Sequence, residues 1–211
     1  MHEHKVTTER VGAFSDGMIA VIITLMALEL KAPESASVEA ILALGQTLLS
    51  YGLSYLFIAI IWVNHHHLLR LVPYASPKLI WINFAHLFLV SLLPFTTAWM
   101  ARTDLAPVPV AAYAAVFVLV NLAYLLFERE ILNHAAVADV PEQTRRLARR
   151  RTLLGLATFI AAGLTAPALP LLGFGLICCA LLLYLRPEIF SRPTATRRSP
   201  AAAHHSPNHI N

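Results

Sequence analysis

The sequence predicts an all-α, polytopic membrane protein with six transmembrane helices per subunit, on three observations. Of 211 residues, 57% are hydrophobic and only 13% are charged, whereas a soluble domain carries roughly a quarter. The apolar residues fall in continuous runs near the ~20 residues a spanning helix needs, which argues against the alternating strands of an outer-membrane barrel. Finally, the cations gather on one side of the alternation between runs and loops. The adjacent Cys178 and Cys179 are the only cysteines. They imply no disulfide framework and read as small packing residues.

The first run, Val11–Leu30, follows a polar amino terminus and is interrupted by Ser15-Asp16-Gly17. Without a clear small-residue cleavage site it reads as a retained span, not a signal peptide. Ile41–Val63, Leu79–Met100 and Val108–Phe127 come next, each at or near spanning length. Leu153–Leu185 then holds either two short spans, Leu153–Ala166 and Ala168–Leu185, or one long span with irregular ends. Charge placement decides between them. With six spans, Lys31 and Arg102 are alone on one side, and the other 14 of the 16 Lys and Arg share the side of the amino terminus. The positive-inside bias then places both termini in the cytoplasm, whereas five spans would export the basic stretch Arg186–Arg198. Residues 1–190 thus read as one multi-pass, six-helix domain in the cell membrane. Residues 191–211 read as a disordered cytoplasmic tail, with His204, His205 and His209 solvated. No internal repeat is found.

Ionisable and amide side chains within spans are costly unless paired, so each is a candidate for function. The first span holds Asp16, with Arg10 just before it, and Glu29. The second ends in Trp62, Asn64, His65, His66 and His67, and the third holds Asn83 and His86. In the six-span arrangement these lie at similar depth. A network joining Arg10, Ser15 and Asp16 to Asn64, one or two histidines and Asn83 would satisfy them, as interhelical glue does. Consecutive histidines on a helix point about 100° apart, so His65–His67 are not expected to hold a metal. Val21, Thr24, Leu25 and Leu28 follow i, i+3, i+4, i+7 and form one stripe. That stripe serves as a packing seam or, where narrow, as a water-excluding constriction.

Arg10-x-x-x-Phe14-Ser15-Asp16-Gly17, opening an apolar helix that continues Met-Ile-Ala-Val-Ile-Ile-Thr-Leu, resembles the transmembrane protein 175 family of potassium channels. Trp62-Val-Asn64-His65-His66 and Trp81-Ile-Asn83, leading to Ser91-Leu-Leu-Pro94-Phe95, extend the resemblance over roughly residues 6–100. It implies a single-repeat, six-helix subunit assembled as a homotetramer around a pore lined by the first helix. The hydrophobic gate would fall at Val21, smaller than the isoleucine or leucine common there. The pore-lining threonine would be Thr24, with apolar rings at Leu25 and Leu28. Arg10, Phe14, Ser15 and Asp16 would hold the helices together, with Asn64, His65, His66 and Asn83 as partners. K⁺ is the implied permeant ion, with other monovalent cations and the lipid bilayer as further partners and neither cofactor nor nucleic acid.

The sequence has no T-V-G-Y-G segment, so a backbone-carbonyl filter is excluded, and selectivity must come from side chains. K⁺ preference over Na⁺ is therefore expected to be modest. The arginines at 145–151 are expected in a loop, not in a voltage-sensing helix. Two alternatives belong to other classes. A proton-coupled secondary transporter would use Asp16 and the histidines as a relay, but repeats and a broken first helix are missing. An intramembrane enzyme built on the histidines would need a second carboxylate or an H-E-x-x-H motif, and has neither.

Overall fold

The computed structural model describes residues 6–135 and 140–185. The expectations resting on Lys5, on Arg186–Arg198 and on the tail with its histidines lie outside the described residues. Eight helices are present among them: α1 (Thr8–Leu28), α2 (Val38–Ala43), α3 (Gly45–Leu69), α4 (Pro77–Val90), α5 (Leu93–Arg102), α6 (Pro107–His134), α7 (Glu142–Thr165) and α8 (Pro170–Leu185). Four stretches are long and apolar enough to cross a membrane: α1, α3, the consecutive pair α4–α5, and α6.

Local chemistry sets the breaks. The second apolar run is not continuous. Ser37 caps the short α2 through the Ala40 amide at 3.2 Å, and the helix is interrupted at Leu44, beside the low-propensity Gly45. From there α3 runs to Leu69, six residues past the expected end, so the histidine triplet is helical. The third run also breaks, after Val90. Pro94 has no amide to donate to the Val90 carbonyl, and its ring would collide with it. The Ser91 hydroxyl bonds the Phe88 carbonyl at 2.7 Å across that break.

The arginines at 145–151 are not in a loop but form the start of α7. Arg and Leu favour helix, and Glu142 pairs with Arg146 one turn on at 3.0 Å. The Arg145 guanidinium donates to the carbonyls of Leu132 (2.6 Å), Ala135 (3.3 Å) and Val140 (3.0 Å). It thereby satisfies the open end of α6 and fastens it to the start of α7.

α1 packs on α3, α4 and α5, while α6 joins α4 and α5 to α7 and α8. The core between them is aromatic. Phe117 of α6 lies 4.4 Å from Phe57 of α3 and 4.9 Å from Phe159 of α7, ring centre to ring centre. A buried hydroxyl cluster sits beside it, with Ser54 2.6 Å from Tyr113 and 2.7 Å from Thr97, tying α3 to α5 and α6. α7 and α8 fold back on each other over Ala166–Leu169, and glycine is what lets them close. A Cβ on Gly155 would stand 2.1 Å from the Tyr184 hydroxyl, and one on Gly173 would stand 2.9 Å from the Ala162 carbonyl.

Candidate functional site

α1 shows two unlike faces. Val11, Ser15, Ile19, Ile22 and Met26 recur every three or four residues and are buried against the neighbouring helices. On the opposite side, Val21, Leu25 and Leu28 are 55%, 52% and 72% exposed, and Thr24 is exposed with them. The stripe read from the sequence is therefore uncovered in the single chain. The Thr24 hydroxyl donates to the Ala20 carbonyl at 2.9 Å, one turn back. Its proton is thus committed to the helix, and its lone pairs face outward.

The start of α1 is docked first by backbone. Residues 6–8 pair as an antiparallel bridge with the loop before α4: Ala75 N–H to Val6 O at 2.9 Å, Thr8 N–H to Pro73 O at 3.2 Å. Thr8 Oγ1 adds a bond to Val72 O at 2.5 Å. Three consecutive side chains then set the rotation of α1. Phe14 meets Phe84 of α4 edge to face at 5.3 Å. Ser15, fully buried, accepts from Asn83 Nδ2 at 3.0 Å and donates to its own Val11 carbonyl at 2.8 Å. Asn83 Oδ1 in turn accepts from His65 Nε2 at 2.6 Å, so the one amide bridges the serine of α1 and the histidine of α3. The His65 ring is stacked 4.7 Å from Phe127 of α6. Asp16 turns the other way and accepts from the Trp62 indole at 2.7 Å.

The expected network is thus divided. Ser15, Asn83 and His65 converge, as do Asp16 and Trp62, and His66 joins the latter pair only by stacking on Trp62 at 5.5 Å. His67 bonds the Val63 carbonyl of its own helix at 2.7 Å. The three histidines fan apart, and no cluster of three or more His, Cys, Asp or Glu converges on a metal-sized space among the described residues. Arg10 lies on the exposed face of α1, away from the network. Asn64 is turned away too, because it precedes His65 by about 100° of helix. Its carbonyl oxygen accepts from Arg151 of α7 at 3.0 Å.

That bond belongs to a second polar cluster, which sequence reasoning missed. The Arg151 guanidinium lies over the Tyr184 ring at 5.4 Å, Tyr184 accepts from Asn121 at 2.8 Å, and Thr152 reaches Glu128 at 3.4 Å. It fastens α3, α6, α7 and α8 much as the first cluster fastens α1, α3 and α4. A signal was present: Asn121 is a lone amide in an apolar run, and Arg151 is the last cation before one. Between the clusters lies a small cavity of about 40 Å³ that is bordered by Asn64, His86, Asn121 and Tyr184, with mostly aromatic and aliphatic walls. It does not touch the stripe.

The family described as "Endosomal/lysosomal potassium channel TMEM175" matches residues 10–94, which include most of α1 and both partners of the Ser15 relay. A potassium channel of Chryseobacterium sp. is 38% identical over 127 residues, 60% of this chain and 66% of that protein. One from Streptomyces collinus is 34% identical over 173 residues, 77% of this chain and 84% of that one. The crystal structure of a lysosomal potassium-selective channel TMEM175 homologue from Chamaesiphon minutus superposes with a TM-score of 0.71. Its identity is 27%, over 84% of this chain and 95% of that one.

Proposed function

This chain belongs to the TMEM175 family of potassium channels, and from that premise we propose that it forms a homotetrameric, modestly K⁺-selective channel of the cell membrane, gated by side chains of α1. The family makes it a channel and not an enzyme. One observation carries the finer reading. Phe14, Ser15 and Asp16 lock the rotation of α1 against α3 and α4, and that rotation leaves Val21, Thr24, Leu25 and Leu28 uncovered on the far side.

Large apolar residues left bare at the level of a membrane are covered by lipid or by other copies of the chain. The stripe differs from a plain lipid-facing strip in carrying Thr24 at its middle. Four copies around one axis would give, in order, a valine ring, a ring of hydroxyl oxygens and two leucine rings. The apolar rings exclude water when narrow and so hold the resting pore shut. The Thr24 oxygens, whose O–H already donates to Ala20 O, would offer their lone pairs toward a partly dehydrated cation. Because K⁺ sheds water at lower cost than Na⁺, such a site favours K⁺ without carbonyl-filter stringency.

The subunit has six spans in this reading. α7 from about Leu153 and the 16-residue α8 supply the last two as a short hairpin, beyond the four longer stretches. Both termini lie in the cytoplasm, which puts Arg129, Lys78 and the arginines of α7 on the cation-rich side.

The test is K⁺ and Na⁺ flux from liposomes carrying the purified protein. Val21→Asn hydrates the constriction and raises resting flux, by roughly tenfold for each 1.4 kcal/mol removed from the barrier. Thr24→Val removes the oxygen ring and lowers the K⁺ preference over Na⁺. Unchanged flux in Val21→Asn would place the gate elsewhere, and an unchanged ion preference in Thr24→Val would remove the hydroxyl ring from selectivity.

A further inference from the structure

Where α6 ends and α7 begins, a cleft of about 390 Å³ opens, walled by Arg129, Arg145, Arg146 and Arg149, by the acidic Glu128 and Glu142, and floored by leucines. We propose that this cleft binds the headgroup of an anionic phospholipid. The proposal rests on the membrane-spanning reading of α6 and α7 but not on conduction.

The four arginines are not equivalent. Arg145 is committed to three backbone carbonyls, and Arg146 is paired with Glu142. Arg129 and Arg149 are exposed and make no hydrogen bond among the described residues, although Arg149 lies within electrostatic reach of Glu128. Glu128 itself is buried and held by Thr152. One cation from each helix thus faces the opening with its guanidinium uncommitted, and guanidinium matches phosphate geometry through paired N–H donors.

What lies below these cations separates a lipid from a free anion. On α6, Leu126 and Leu122 precede Arg129 on the same helical face and are exposed. On α7, Leu153 and Ile160 follow Arg149 on the same face and are also exposed. The two helices are antiparallel neighbours, so both tracks lead from the cleft toward the middle of the span. Cationic head site above, paired apolar tracks below: the surface has the polarity profile of an amphiphile. Basic pockets between helices at the cytoplasmic side are where acidic headgroups are held. The occupant is a lipid, not a second copy of the chain, because two such faces would oppose cations to cations. The cleft also lies on helices remote from α1, which packs on α3, α4 and α5.

The experiment is native mass spectrometry of the detergent-purified oligomer titrated with phosphatidylglycerol or with phosphatidylcholine, each with and without millimolar inorganic phosphate. Wild type is compared with the double variant Arg129→Gln/Arg149→Gln and with Arg70→Gln, an exposed cation of the loop after α3. Wild type should retain phosphatidylglycerol over phosphatidylcholine, inorganic phosphate should not displace it, and Arg70→Gln should match wild type. The double variant should bind phosphatidylglycerol roughly thirtyfold more weakly, as expected for two cations at a membrane surface. Equal retention of the two lipids by wild type would overturn the proposal without any variant. So would undiminished retention by the double variant, or displacement by phosphate alone, which would mark a soluble-anion site. None of these results depends on ion flux, so failure here and failure of the channel reading are separable.

Discussion

The buried and uncovered faces of α1 are built from similar material and do opposite things. The buried face carries Ser15 among Val11, Ile19, Ile22 and Met26, and its hydroxyl, besides donating one turn back to the Val11 carbonyl, accepts across a helix interface from Asn83. The uncovered face carries Thr24 among Val21, Leu25 and Leu28, and its hydroxyl is satisfied within its own helix. A polar group that reaches a neighbouring helix fixes geometry. One that closes on its own backbone leaves its outer lone pairs for something that arrives from outside. The difference teaches that strong intramembrane polarity in this chain marks fastening. In the proposed channel, the surface offered to an ion would be the apolar stripe that no other helix of the subunit covers.

The severest test of that distinction is Asn83→Leu. It leaves the buried His65 Nε2–H without its acceptor, at about 1–3 kcal/mol, and takes from Ser15 its cross-helix donor, leaving the bond to the Val11 carbonyl. The protein should unfold in detergent at a clearly lower temperature than wild type, while Val21→Asn, on the other face, should leave the melting point within a degree or two. Equal melting points for Asn83→Leu and wild type would mean that the relay does not fasten α1.

Next in size is Gly155→Val, which carries the comparison to the far side of the subunit. Its Cβ would overlap the Tyr184 hydroxyl, displacing the ring that Asn121 and Arg151 hold. Overpacking of this kind costs about 1–3 kcal/mol. The expected signature is a lower melting point with an unchanged K⁺ to Na⁺ flux ratio. A changed ratio would show that the second cluster reaches the ion path.

Both the apolar runs and the stripe were legible in the sequence, because each is a matter of spacing along one helix. The pairing of polar groups was legible only in part. Ser15, Asn83 and His65 are found together because all three sit in spans at matching depth. Depth alone groups Asn64 with them, yet one residue of helix rotation turns it to Arg151. Distance along the chain groups Arg10 with Asp16, and helix periodicity places it on the exposed face. The helical arginines of α7 escaped because a run of like charges resembles a solvated loop, whereas Arg145 finds its partners in the carbonyls ending α6. Which backbone group lies within reach is a tertiary fact that no spacing rule contains.

The smallest expected effect is the most discriminating. Asp16 is the one carboxylate in the first half of α1 that points neither to solvent alone nor to a cation: its partner is the neutral Trp62 indole. An ion path or proton relay through Asp16 would need its charge, whereas fastening needs only its acceptor oxygen. Asp16→Asn keeps that oxygen, so melting point and flux should both stay near wild type, within about 0.5 kcal/mol as for a substitution away from critical features. Asp16→Ala loses the acceptor and should lower the melting point, with flux falling only in proportion to the folded protein lost. If Asp16→Asn instead abolished flux from an intact oligomer, the charge itself would be at work. The division between a fastening face and a conducting face would then fail at that residue.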